Sequence, residues 1–205
     1  MSGSPTKVGL IGCGQISGIY LENSKKFEAF DIVRVADARV EAAKARAAEY
    51  DIPRAGSVEE LLADPEVEIV INLTPHRAHY AVGMQVVDAG KSVYTEKPLT
   101  VYRHQAVQLL ARAATRGVRV GGAPDTFFGG AWQMARKLID RGVIGEPVAA
   151  FANLHAFAAP RPPAVRPDGY TSFYMTDFFE YGGSWAFDRG PYYLHALIHL
   201  LGPIK

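Results

Sequence analysis

Short apolar runs and longer mixed segments alternate through the first two thirds of the chain. Lys7-Val-Gly-Leu-Ile-Gly12 ends in glycine, and Asp31-Ile-Val-Arg-Val-Ala-Asp37 ends in an acid. Val67-Glu-Ile-Val-Ile-Asn-Leu73, Ser92-Val-Tyr-Thr95 and Val118-Arg-Val-Gly121 follow. Their length and β-branched content predict buried strands. Helical stretches separate them: Ile16 to Phe27, then the Ala-rich Val40 to Tyr50. Ser57 reads as an N-cap, and Glu60 three residues later completes a capping box for Val58 to Ala63. Ala78 to Ala89 stops at Gly90 and Tyr102 to Arg116 stops at Gly117, both glycines reading as C-caps. Strands and helices joined by short connections predict right-handed βαβ units. The fold class that follows is α/β, a Rossmann-type parallel sheet with helices on both faces.

The pattern changes after residue 123, which divides the chain into a domain of residues 1–123 and a second region of residues 124–205. Ala131 to Arg141 reads as a helix closed at Gly142, and Pro147 to Phe157 as a strand. Ala159 to Asp168 holds four prolines and reads as a loop. Residues 170–193 carry 10 of the 22 aromatics, which suits a core, a subunit interface or the wall of a sugar pocket. An apolar helix from about Pro191 to Leu201 ends the pattern.

Charge narrows the partners. Lys+Arg 22 against Asp+Glu 21 leaves +1, without the positive surplus that nucleic acid or an anionic membrane demands. No apolar run approaches the roughly 20 residues of a membrane span. The single cysteine, Cys13, excludes an internal disulfide framework and a thiolate zinc site. The expectation is a cytoplasmic protein that takes a small-molecule ligand.

The first glycine turn carries the chemistry. Gly12-Cys13-Gly14-Gln15-Ile16-Ser17-Gly18 lies between the first predicted strand and helix. Gly12 permits the turn, Gly14 lets backbone approach a pyrophosphate, and the amides at Gln15 and Ile16 open the helix N-terminus. Ser17 stands where the fingerprint has glycine or alanine. Asp37 ends the second strand 23 residues after Gly14, placed to accept both hydroxyls of an adenosine ribose and to repel a 2′-phosphate. NAD is therefore the expected cofactor, with NADP kept open by the nearby Arg39. The Tyr94-Thr95-Glu96-Lys97-Pro98 turn follows a predicted parallel strand, at the edge where open α/β sheets bind ligands.

Asp188, Tyr192, His195 and His199 fall at i, i+4, i+7 and i+11, one stripe of a helix. A proton acceptor for an alcohol works best when it titrates near neutrality. His195 starts closer to that than Tyr192, with ordinary pKa values near about 6.5 and about 10. A cation such as Lys97 nearby would bring Tyr192 into range, and Tyr193 or another group is the remaining alternative. Asp188 either orients that group, binds a substrate hydroxyl or caps the helix. His195 and His199 have a metal-ligand spacing but lack a third ligand, so no metal is expected.

These stretches resemble the glucose–fructose oxidoreductase, inositol dehydrogenase and rhizopine-catabolism family (Gfo/Idh/MocA). The resemblance runs through Gly9-Leu-Ile-Gly-Cys-Gly-Gln-Ile-Ser17, Asn72-Leu-Thr-Pro-His-Arg-Ala-His79, Ala89-Gly-Lys-Ser-Val-Tyr-Thr-Glu-Lys-Pro-Leu99, Gly142-Val-Ile-Gly-Glu-Pro147 and Phe187-Asp-Arg-Gly-Pro-Tyr192. It implies a Rossmann domain followed by an α+β domain built on an open antiparallel sheet. It also implies hydride transfer between NAD(P) and a hydroxyl-bearing carbon of a sugar, cyclitol or related polyol, carried out by a homo-oligomer. Lys97 falls on the family's active-site lysine and Glu96 on its neighbour near the nicotinamide. Leu73, Thr74, Pro75 and His79 fall on the stretch bordering the cofactor. Asp188 matches the family, whereas Tyr192 stands where members commonly carry histidine. Members also run well past Lys205, so residues 124–205 are expected to form only part of the second domain. Two rival readings stand beside the dehydrogenase: a glycosidase or lyase using NAD for transient oxidation, and a non-catalytic dinucleotide binder.

Overall fold

The computed structural model describes residues 4–153 and 185–204, which fall into two compact units, Met1–Ala123 and Pro124–Lys205. The first unit is a six-stranded parallel sheet ordered β3-β2-β1-β4-β5-β6. Its strands are β1 (Thr6–Ile11), β2 (Phe30–Ala36), β3 (Arg54–Gly56), β4 (Ile69–Asn72), β5 (Ser92–Thr95) and β6 (Val120–Gly122). The helices between them are α1 (Ser17–Ser24), α2 (Val40–Tyr50), α3 (Val58–Leu62), α4 (His79–Asp88) and α5 (Arg103–Arg116).

Apolar runs became central strands because both sheet faces are covered. On one face Val8, Leu10, Ile32, Val35 and Ile71 pack with Leu21 of α1 and Ala43 and Ala47 of α2. On the other, Ile11, Val70 and Val93 pack with Leu61 of α3, Val86 and Val87 of α4, and Leu109 and Ala113 of α5. Each fully buried Val, Leu or Ile side chain among them contributes about 1.5–3 kcal/mol. Successive residues of one strand serve opposite cores, so a strand buried on both sides reads as apolar throughout. The helices change face between α1 and α4, so β1 and β4 flank the crevice where strand order reverses.

Local signals mostly survive folding. The Ser57 hydroxyl accepts from the Glu60 amide at 3.3 Å, and the Ser57 amide donates to Glu60 Oε2 at 2.9 Å, completing the capping box. Gly117 caps α5 in the left-handed conformation, φ 70°. By contrast α1 stops at Ser24 rather than Phe27, where the Ser24 hydroxyl turns back to the Leu21 carbonyl at 2.8 Å. The three-residue β3 was not foreseen, being too short for a period to show.

Charge is buried before the strands begin. Asp64, whose side chain is 3% exposed, pairs with Arg34 Nε at 2.9 Å and Arg54 Nη1 at 3.0 Å. Burial pushes its carboxyl up, but the Glu66 amide and the two guanidiniums outweigh that and hold it below the ordinary aspartate value. Lys91, 7% exposed, donates to the carbonyls of Asp64 at 2.6 Å and Val67 at 2.7 Å. Burial lowers its pKa, against the pull of the Asp64 carboxylate.

The second unit contains a 3-10 turn at Thr126–Phe128, α6 (Gly130–Asp140) and α7 (Trp185–Leu201). Arg136 of α6 ties the helices by donating to the His199 carbonyl at 2.7 Å and the Leu200 carbonyl at 3.4 Å, at the negative end of α7. The strand expected over Pro147–Phe157 is not present in residues 147–153. Val148 and Phe151 are 97% and 91% exposed there, and the described part of this unit offers no strand to pair with. The remainder of that stretch, the proline-rich loop 159–168, and residues 170–184 of the aromatic segment lie outside the described residues. The terminal helix already runs at Trp185, ahead of the start expected near Pro191. Asp188 therefore lies inside the helix and is not its N-cap.

Replacing Lys91 with methionine removes the donor from two carbonyls in a site that water barely reaches. The expected cost is about 2–4 kcal/mol in a denaturant titration. An unchanged midpoint would show that those carbonyls find other partners.

Candidate dinucleotide site

The site assembles where β1 ends. Gly12 has φ +103°, and a Cβ built on it would lie 2.6 Å from the Leu73 carbonyl carbon and 2.8 Å from the Thr74 amide nitrogen. Only glycine adopts that conformation readily and also lets the turn rest on the backbone after β4. The Gly12 amide donates to the Ala36 carbonyl at 2.9 Å, and the next amide, Cys13, donates to Asp37 Oδ2 at 2.8 Å. Asp37 Oδ1 accepts from the Arg39 amide at 2.9 Å. Asp37 thus positions the glycine turn as well as ending β2. A carboxylate has about four acceptor sites, so two remain for ligand hydroxyls.

Ser17 explains its place in the fingerprint. It is fully buried, and its hydroxyl donates to the Gly14 carbonyl at 2.7 Å. The close helix contact falls instead to Gly18, where a Cβ would meet the Tyr50 hydroxyl at 2.8 Å. Arg46 of α2 also reaches the Gly14 carbonyl, at 3.2 Å. These bonds consume the turn's carbonyl and leave its amides. Gly14, Gln15 and Ile16 are half-buried to exposed, and within the described residues no hydrogen bond engages their amides. Amides at the opening of a helix, a bare glycine cradle and a carboxylate with spare acceptor sites fit a dinucleotide.

The ends of β4 and β5 form the other half. Asn72, fully buried, accepts from the Thr74 hydroxyl at 2.7 Å and donates to the His79 carbonyl at 3.1 Å. This shapes the Leu73-Thr74-Pro75 turn. His79 is 2% exposed, with Nδ1 2.7 Å from the Pro98 carbonyl and Nε2 2.7 Å from the Thr74 carbonyl. Burial lowers its pKa, and the charges of His76 and Lys97 add to that against the two carbonyls. The ring holds two loops together and turns neither nitrogen to a ligand. The Lys97–Pro98 peptide is cis. The Glu96 amide donates to the Asn72 carbonyl at 2.9 Å, so the Glu96-Lys97 turn continues from the β4 end.

Gly12, Gly14, Gln15, Ile16, Asp37, Leu73, Thr74, Pro75, Glu96 and Lys97 therefore share the carboxyl edge of one sheet. Asp188, Tyr192 and His195 belong to α7 of the second unit. There Asp188 pairs with Arg189 at 3.1 Å. His195 and His199 both pack on the Phe127 ring, at centroid distances of 6.2 Å and 5.6 Å. The predicted stripe is thus partly an aromatic contact within that unit. Among the described residues no cluster of three or more His, Cys, Asp or Glu could hold a metal. None of the described helices is long and apolar enough to cross a membrane.

Two residues escaped the sequence reading. Asn72 had a signal, a polar residue buried in the run Ile69–Leu73. Tyr20 had none: its hydroxyl donates to Glu96 Oε1 at 2.9 Å, across 76 positions of sequence.

The reversal of strand order, the glycine turn and the acid ending β2 define a dinucleotide-binding Rossmann protein. The chain matches the model of the oxidoreductase family with an NAD-binding Rossmann fold, Gfo/Idh/MocA, over residues 6–123, and it belongs to that family. It is 33% identical over 141 residues to a trans-1,2-dihydrobenzene-1,2-diol dehydrogenase from Bos taurus, covering 67% of this chain and 42% of the relative. An NAD binding oxidoreductase from Klebsiella pneumoniae is 28% identical with TM-score 0.80, covering 98% of this chain and 55% of that one. A 3-ketoreductase from Actinomadura kijaniata, solved in complex with NADP, is 30% identical with TM-score 0.62, covering 69% and 46%. The chain thus spans about half the length of these relatives.

Cys13 lies inside the turn yet is chemically quiet. Burial first, then the Asp37 carboxylate, push its thiol up to about 12 against the pull of Arg46. The folded chain should resist a disulfide reagent at pH 8 and release one thiol equivalent when denatured. Rapid labelling of native protein would contradict this environment.

Proposed function

We propose that this chain forms the cofactor-binding half, with part of the substrate half, of an NAD(P)-dependent oxidoreductase acting on a hydroxyl-bearing carbon of a sugar, cyclitol or related polyol. One observation carries the reading: uncommitted amides, a ribose-type carboxylate and the Glu96-Lys97 turn converge on one sheet edge. The relatives' names support the reaction type, since they include a diol dehydrogenase and a ketoreductase.

The amides of Gly14, Gln15 and Ile16 receive the pyrophosphate over the bare Gly12 turn, and Asp37 accepts the adenosine ribose hydroxyls. Leu73, Thr74, Pro75 and Glu96 border the nicotinamide half, with His79 holding their loops. When bound, the nicotinamide supplies the hydride acceptor or donor. Lys97 holds the reacting substrate oxygen and stabilises negative charge growing on it. Tyr192 or His195 takes the hydroxyl proton when the substrate is oxidised and supplies it when the carbonyl is reduced, with Asp188 orienting that group or a substrate hydroxyl. We place the enzyme in the cytoplasm as a homo-oligomer. The exposed Met134, Leu138, Val143 and Ile144 of the second unit support such a contact.

Lys97→Ala is expected to lower turnover with the cognate polyol by about 10²–10³-fold while NADH affinity stays within a few-fold. The measurement is paired steady-state kinetics and fluorescence titration; undiminished turnover would remove Lys97 from the chemistry. Asp37→Asn keeps the side-chain shape and deletes the charge that repels a 2′-phosphate. The ratio of NADPH to NADH affinity should rise. A ratio that does not move would assign cofactor choice elsewhere.

A further inference from the structure

We propose that Tyr20 is a positioning residue for the nicotinamide end of the site, acting through Glu96. The inference rests on the dinucleotide reading above and deepens it. Helix α1 has two functional regions. Its N-terminus serves the pyrophosphate turn. Tyr20, its fourth residue, sends a hydroxyl over to the far half of the sheet and donates to Glu96 Oε1 at 2.9 Å. The second oxygen, Oε2, accepts from the amide of Lys97 at 2.8 Å. The backbone of Glu96 is fixed as well, through its amide on the Asn72 carbonyl at 2.9 Å.

A glutamate normally rotates about three side-chain bonds. Here each carboxylate oxygen is engaged, and both Tyr20 and Glu96 are half-buried, where a bond to a charged acceptor is stronger than in water. Without the phenol, the bond left to the Glu96 carboxylate among the described residues is the one from the next residue's amide. That contact spans one peptide and leaves the carboxylate free to swing. Asp37 is at the adenosine end and Glu96 follows β5 in the opposite half of the sheet, so a dinucleotide crossing the strand reversal meets Asp37 with one end and Glu96 with the other. The described bond of the Tyr20 hydroxyl is to Glu96, so the effect of removing it is expected at the nicotinamide half.

The test separates the two halves with two probes, NADH and ADP-ribose, the latter lacking the nicotinamide. Both are titrated calorimetrically against the wild-type chain and Tyr20→Phe. The expected result is about tenfold weaker NADH binding in the variant, with ADP-ribose affinity held within about twofold. In a Glu96→Ala background the same change should cost nothing further, because the carboxylate through which Tyr20 acts is gone. That double variant also decides the matter if Tyr20→Phe alone lowers the melting temperature. Unchanged NADH affinity overturns the proposal, as does equal weakening of both probes, which would make the phenol a support for α1. An independent loss in the Glu96→Ala background overturns it too. Wild-type protein that binds ADP-ribose and NADH equally overturns it while leaving the adenosine half intact. Wild-type protein that binds neither overturns the dinucleotide reading itself.

Discussion

The contact of Gly12 with the backbone of Leu73 and Thr74 is the constraint on which the site depends. A side chain at Gly12 would lie 2.6 Å from the Leu73 carbonyl carbon and force apart the turns after β1 and β4. Those turns flank the point where strand order reverses, and the sheet's ligand edge exists because they pack without a side chain between them. Everything placed there inherits that geometry. The Cys13 amide reaches Asp37, the Leu73 amide reaches Ile11, and the amides of Gly14, Gln15 and Ile16 carry no hydrogen bond among the described residues.

A second regularity concerns how this unit handles buried polar groups. Asp37, Glu96, His79 and Lys91 each bond to main-chain groups rather than relying on an opposite charge alone. Backbone partners are fixed by the sheet, so they orient a side chain without the entropy cost of immobilising a second one. Asp37 and Glu96 each bind two donors while retaining acceptor capacity, which is how a side chain can shape a loop and still meet a ligand. His79 has none to spare, and its contribution is the distance between two loops.

The second unit follows a different logic. Its α7 combines apolar residues with Asp188, Tyr192, His195 and His199, and its contacts include the Arg136 cap and the Phe127 ring. Arg136 offsets the helix's negative end, while Phe127 gives the two imidazoles a flat apolar partner. Tyr192 is half-buried and His195 exposed on this helix.

What the sequence by itself determined was whatever depends on neighbours within a turn or a strand. The strand runs, the Ser57–Glu60 capping box, the glycine turn and the acid closing β2 were legible because their causes are local: period, φ preference and hydrogen bonds spanning three residues. Tertiary structure alone decided the rest. It turned both His79 nitrogens onto carbonyls, gave Asp37 a second task, joined Tyr20 to Glu96 across 76 residues, and set two histidines of α7 against Phe127. It also left residues 147–153 without a strand, since β structure needs a partner that no single segment can supply. The division is physical: a cap or turn carries its partner in the same few residues, whereas a ladder or a cross-sheet hydrogen bond exists only after distant segments have been brought together.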